Sequence, residues 1–219
     1  LQDAAKPFPL QAQVSIADTK VELAGTLTDP LHLGALDLRV KLAGSSLSNM
    51  SPLTGVTLPD SPPYSTDGHL IAKLHEPDGA IFTYENFNGK IGSSDIHGNL
   101  KYVASQPRPK LSGALVSNQL LMADLAPLIG ADSNAKQKAR GGDSKQPAGK
   151  VLPVEEFRTE RWRDMDADVE FTGKRIVQSA ELPFTDLYTH VVLDNGELKL
   201  EPLRFGVAGG KLDAQINLN

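Results

Sequence analysis

Three stretches of the chain repeat one pattern: Val21-Glu-Leu-Ala-Gly-Thr-Leu27, Ser94-Asp-Ile-His-Gly-Asn-Leu100 and Gly210-Lys-Leu-Asp-Ala-Gln-Ile216. Each sets one aliphatic residue two positions before a small residue and another two positions after it. Successive side chains of a strand point to opposite faces, so a period of two means a strand with one apolar face. The last two copies also match upstream, where Glu85-Asn-Phe-Asn-Gly-Lys-Ile-Gly-Ser-Ser parallels Glu201-Pro-Leu-Arg-Phe-Gly-Val-Ala-Gly-Gly. In both, an alternating strand meets a turn of small residues and a second strand returns. A hairpin that recurs at long intervals predicts an extended array of strands.

The rest of the chain reads the same way. Leu36-Asp-Leu-Arg-Val-Lys-Leu42 alternates without a fault, with Asp37, Arg39 and Lys41 on the polar face. Further strands are expected over 10–16, 20–27, 68–74, 80–88, 94–103, 109–117, 166–172, 174–179, 186–193, 197–208 and 210–218. Asp194-Asn-Gly196 supplies the positive φ angles of a type I′ hairpin turn, and Glu76-Pro-Asp-Gly79 is a second turn signal. Two short helices are expected, over 120–129 and, behind Pro153, over 154–163. Residues 131–150 are Gly, Lys, Asp, Ser, Gln and Ala with almost no large apolar side chain, so they are expected to form a mobile polar loop. Residues 48–66, rich in proline, read as a crossing loop. The organisation expected is a repeated β segment over 1–130, the loop, and a short helix with continuing β structure over 151–219.

Chemistry is sparse. A net charge of −5 without a clustered basic face speaks against nucleic acid as a partner. The chain has no cysteine, which excludes disulfides, thiolate metal sites and thiol nucleophiles. The five histidines, His32, His69, His75, His97 and His190, lack metal-site spacing, and His97 falls on the polar face opposite Ile96. Asp164-Met-Asp-Ala-Asp168 lacks the Gly and distal Glu of a calcium loop and reads as the polar face of a strand start. Trp162 reads as an anchor for the second helix. No catalytic residue, metal or cofactor is expected. What remains is the apolar face, which either closes a two-sheet core or lines an open trough that meets a greasy ligand. Alternation alone does not separate the two.

Several stretches resemble the AsmA-like family of Gram-negative envelope proteins, relatives of AsmA and TamB. They are Leu58-Pro-Asp-Ser-Pro-Pro-Tyr-Ser-Thr-Asp-Gly-His-Leu70, the hairpin Phe87–Leu100, Pro109-Lys-Leu-Ser-Gly-Ala-Leu115, Asp164-Met-Asp-Ala-Asp-Val169, and Leu193–Leu203 running into Gly206-Val-Ala-Gly-Gly-Lys-Leu212. The resemblance implies an all-β fold: a long twisted antiparallel sheet curled like an open taco around an apolar groove. It implies a non-enzymatic segment that conducts phospholipid acyl chains between inner and outer membranes, with other envelope proteins as further partners. It also implies a periplasmic location and an N-terminal inner-membrane anchor outside this segment. An assembly factor that engages outer-membrane barrel clients by strand-edge pairing is the alternative. The lining residues expected are Leu23, Leu27, Leu36, Leu38, Val40, Leu42, Ile96, Leu100, Leu111, Leu115, Leu198, Leu200, Leu212 and Ile216. In the last strand, 211–218, the face opposite Leu212, Ala214, Ile216 and Leu218 carries only Asp213, Gln215 and Asn217, and one charge is weak protection against edge pairing, so self-association through that edge is expected.

Overall fold

The computed structural model describes residues 6–16, 18–30, 32, 34–50, 60–125, 163–177 and 184–218. Eleven strands form one sheet in strict chain order. They are β1 (Phe8–Ile16), β2 (Thr19–Thr28), β3 (Ala35–Gly44), β4 (Tyr64–Lys73), β5 (Ile81–Ile91), β6 (Ser94–Val103), β7 (Lys110–Leu121), β8 (Asp166–Val177), β9 (Phe184–Asp194), β10 (Glu197–Val207) and β11 (Gly210–Leu218). The sheet is curled but not closed, since β1 pairs only with β2 and β11 only with β10.

The alternation read from the sequence explains the curl. In β3, Leu38 and Val40 are 2% and 3% exposed while Asp37, Arg39 and Lys41 face solvent. Leu36, Leu38, Val40 and Leu42 share the face opposite those charges, and all described strands belong to one sheet. Hydrophobic burial on one face and solvation on the other bends the layer in that direction. Glycine helps at the repeat centres. Gly25 and Gly98 lie on the inner face with φ of 158° and 148°, and a Cβ there would strike the carbonyl oxygens of Asp37 and Ala114 on neighbouring strands. The third copy has Ala214 at this place, on the edge strand, where only one neighbour is present.

The turns follow the sequence signals. Asn195 and Gly196 take φ of 50° and 87° between β9 and β10. Gly92-Ser93 and Ala208-Gly209 make the two tight turns of the matched hairpins, with Gly92 at φ 60° and Ala208 at φ 49°. Between β3 and β4 a 3-10 turn, Leu47–Met50, is tied to the strand that follows. Ser61 Oγ accepts from Leu47 N at 2.9 Å, and Ser61 N donates to Ser46 Oγ at 3.0 Å. Ser48 Oγ donates to Asp60 at 2.8 Å, and Met50 is thereby held inward at 7% exposure.

Three expectations change. The sheet is antiparallel except between β7 and β8, which run parallel in register from Lys110↔Asp166 to Leu121↔Val177. A parallel pair needs a long return connection, and the stretch between Leu121 and Asp166 supplies it. The strands expected at 166–172 and 174–179 are one strand, β8, in which Lys174 and Arg175 both face solvent before Ile176 turns back in. The helix expected at 120–129 starts later, because β7 claims Leu120 and Leu121; of that stretch the described part of the helix is α1 (Met122–Leu125). The helix over 154–163, Trp162 and the 131–150 loop lie outside the described residues, save Arg163.

Candidate functional site: an uncharged apolar trough

The inner face is built row by row. One row crosses every strand: Phe8, Leu27, Leu36, Ala72, Phe82, Tyr102, Leu111, Ala167, Leu193, Leu198 and Leu218 are consecutive cross-strand partners. The next row is also unbroken: Leu10, Gly25, Leu38, Leu70, Tyr84, Leu100, Gly113, Val169, Val191, Leu200 and Ile216. At about 4.8 Å per strand, each row is roughly 48 Å long. Every lining residue expected from sequence falls on this one face. Leu23, Val40 and Leu115 lie in a third row, and Leu42, Ile96 and Leu212 in a fourth.

No Asp, Glu, Lys, Arg or His falls on this face in any of the eleven strands. Its polar atoms are hydroxyls, among them Thr19, Thr66, Ser94 and Thr189. Burial is graded along it. The most buried of its side chains sit on central strands, with Ala72 at 0%, Leu120 and Ile176 at 2% and Phe87 at 6% exposure. Most other lining side chains are half-buried, and the edge strands are the most open.

Aromatic side chains on the lining escaped the alternation pattern. Tyr84 and Phe87 stack with ring centroids 5.1 Å apart and planes 9° from parallel. Three residues apart, they should point to opposite faces. A bulge at Glu85-Asn86, with Asn86 at φ 49°, turns both inward. The stack fills the space a side chain would take at Gly68, whose Cβ would lie 2.6 Å from the Phe87 Cβ. The Tyr84 hydroxyl sits 3.0 Å from Thr66 Oγ1, and burial pushes its phenol up from the ordinary value. Phe82 with Tyr102 (6.2 Å) and Phe184 with Phe205 (5.3 Å, edge to face) extend the aromatic contacts. Among the described residues, the aromatic side chains other than Tyr188 are thus concentrated on this face.

The outer face carries the charge, laced across strands by Arg39–Asp67 (2.5 Å), Arg108–Asp166 (2.9 Å) and Arg204–Asp213 (2.8 Å). The histidines join it: His69 meets Asp37, His97 meets Asp95 and His190 meets Asp168 at 2.6–2.8 Å. Asp166 and Asp168 lie there too, on the polar side of a strand start. Asp95 pins the irregular end of β7. Burial pushes its carboxyl up, but the backbone N–H groups of Asn118 (3.0 Å) and Gln119 (2.6 Å), the Asn118 amide and the His97 ring together hold it well below the carboxylate range. Among the described residues, no three His, Asp or Glu side chains converge to hold a metal ion. No helix among them is long and apolar enough to cross a membrane.

The profile of the AsmA family matches residues 1–219. The chain belongs to the AsmA family. It is 48% identical over 225 residues to the AsmA family protein YhjG of Escherichia coli (strain K12), an alignment that covers 100% of this chain. The chain spans a third (33%) of the length of that curated relative. No solved structure matches it.

Proposed function

We propose that this AsmA-family chain is a non-enzymatic lipid conduit, in which phospholipid acyl chains lie in the trough and headgroups stay in water. The observation that carries the reading is the face itself: two apolar rows, unbroken across eleven strands, with no charged side chain beside them. An acyl chain gains roughly 0.8 kcal/mol per buried CH₂. On a lining of uniform aliphatic character that gain changes little from one row position to the next, so a chain slides without surrendering it to solvent. A charged side chain in the row would interrupt the path, and a closed two-sheet core would leave no path at all.

Family membership supports an envelope role in lipid transport or assembly, and we extend it to transfer between inner and outer membranes through the periplasm, with an inner-membrane anchor in the whole protein. Native mass spectrometry of the purified chain, followed by lipid extraction, tests the reading. Co-purified phospholipid at defined stoichiometry is expected. A lipid-free protein that binds unfolded barrel peptides instead would replace the conduit with an assembly role.

A further inference from the structure

We propose that phospholipid lies across the trough rather than along it, with its phosphate and ester end at one long margin and its acyl tails running down the wall toward the other. The inference rests on the conduit reading and adds an orientation to it.

Each long margin of the trough is made of the turns at one end of the strands. The upper margin holds the β1–β2, β3–β4, β5–β6 and β10–β11 connections; the lower holds those of β2–β3, β4–β5, β6–β7 and β9–β10. The lining changes from one margin to the other. In the first and second rows, on the lower side, the hydroxyls are the phenols of Tyr102 and Tyr84. The Tyr84 phenol points upward, to 3.0 Å from Thr66 Oγ1 in the fourth row. Beyond it a fifth row follows the upper margin: Gly44, Tyr64, Ile91 and Ser94 are successive partners, and Thr19 pairs with Ile16 at the same level. A Cβ at Gly44 would stand 3.0 Å from Thr19 Oγ1 and 3.1 Å from the Tyr64 hydroxyl, so these two hydroxyls converge there. The inner wall thus passes from hydrocarbon below to hydroxyl above.

Charge outside the wall follows the same direction. Lys20, Lys90, Lys174, Arg175 and Lys211 are exposed close to the upper margin, and none of them forms an ion pair among the described residues. Of the acids there, Asp18, Asp60, Asp95 and Asp124 accept hydrogen bonds from nearby hydroxyl, amide or backbone donors, and Asp186 is exposed. The lower margin is acidic, with Asp29, Glu76, Asp78, Asp164, Asp194 and Glu197. Its cations Arg108 and Lys110 are engaged by Asp166 (2.9 Å) and Asp168 (3.6 Å), which leaves Lys6, Lys73 and Arg163.

A phospholipid matches both gradients in one orientation only. Its phosphate meets cations and its ester oxygens meet hydroxyl donors at the upper margin, while its tails lie on hydrocarbon. The length also fits. Alternate residues of a strand are about 6.8 Å apart, so the fourth row stands roughly 20 Å from the first. The acyl chains of one leaflet fill about 15 Å, half of a bilayer core.

The chain has no cysteine, so single reporters can be placed on one strand. Leu42 in the fourth row and Leu36 in the first are both half-buried, near opposite ends of β3. Leu42→Cys and Leu36→Cys, each labelled with bimane and shown folded by circular dichroism, are loaded with phosphatidylcholine carrying a nitroxide beside the ester or at the tail end. The ester-side nitroxide is expected to quench the Leu42 site more strongly, and the tail-end nitroxide the Leu36 site. Equal quenching of the two sites by each lipid would mean that the chains lie along the rows, and the reversed pattern would put the headgroup at the lower margin. Either overturns the orientation and leaves the conduit standing, whereas no quenching at either site removes both. Charge reversal is the label-free measurement. Lys90→Glu with Lys174→Glu should lose most of the phospholipid seen by native mass spectrometry, while Lys73→Glu with Lys101→Glu, at the lower ends of β4 and β6, should keep it. Equal losses from the two pairs, or none from the upper pair, would overturn the proposal.

Discussion

Placing an aspartate at two points of one row separates an open trough from a closed core. Leu38 and Leu200 share the second inner row, but Leu38 is 2% exposed and Leu200 is half-buried. At Leu38, loss of the side chain alone costs about 3–5 kcal/mol. A carboxylate left there without a partner adds several kcal/mol more, so the sum approaches the roughly 5–15 kcal/mol that holds an ordinary domain together. Leu38→Asp is therefore expected to unfold the protein or leave it marginal. At Leu200 the carboxylate reaches water, and only part of a leucine's burial is lost, on the order of 1 kcal/mol. Leu200→Asp should stay folded while bound phospholipid falls sharply. Urea denaturation followed by circular dichroism, with lipid extraction of the folded variants, reads both. Unfolding of both variants would mean that the inner face is sealed throughout. Full lipid occupancy in a folded Leu200→Asp protein would mean that this row is not the path.

Other consequences follow from the same geometry. Phe87→Ala removes a 6%-exposed ring and its stack with Tyr84, and should lower stability by about 3–5 kcal/mol in chemical denaturation; a loss below about 1 kcal/mol would show that the ring is not packed. Thr189 is 6% exposed, and its hydroxyl has no hydrogen-bond partner among the described residues. Thr189→Val should therefore raise the denaturation midpoint by an amount equivalent to about 1 kcal/mol, and a drop of that size would reveal a partner. Because the Asp95 carboxyl is depressed in the fold, its contribution is present above the ordinary carboxylate pKa and is lost as pH falls toward the folded value. The stability gap between the native chain and Asp95→Asn should accordingly shrink from about pH 5 to pH 2, and a constant gap would contradict the hydrogen bonds drawn to that carboxylate.

Much of the face was legible because alternation survives wherever a strand is regular. β3, β6 and β11 show it cleanly, and Leu36 to Leu42, Ile96, Leu100, Leu212 and Ile216 lie where the period of two puts them. What was not legible lies beyond irregularities. The extra residue at Glu85-Asn86 flips parity, so one pattern cannot place both Tyr84 and Phe87. The register shift between Leu200 and Leu203 does the same around Pro202, and the paired irregularities before Leu120 and Ile176 hide two of the most buried residues. A bulge is a backbone event stabilised by neighbours on adjacent strands, as Asp95 does for β7, and those neighbours are distant in sequence. Strand direction is hidden for the same reason, since a strand reads alike from either end and only its partner makes it parallel.

The parallel step between β7 and β8 has a consequence for how such a sheet can be lengthened. An uninterrupted meander with an odd number of strands starts and finishes in the same direction, so successive blocks would abut as parallel strands. Here one connection returns the chain to its starting side, and β11 finishes opposed to β1. In counting terms the block of eleven behaves as an even one. Blocks of this kind can be added in series, each beginning in the phase in which the last one ended, without a strand being inserted to correct the direction.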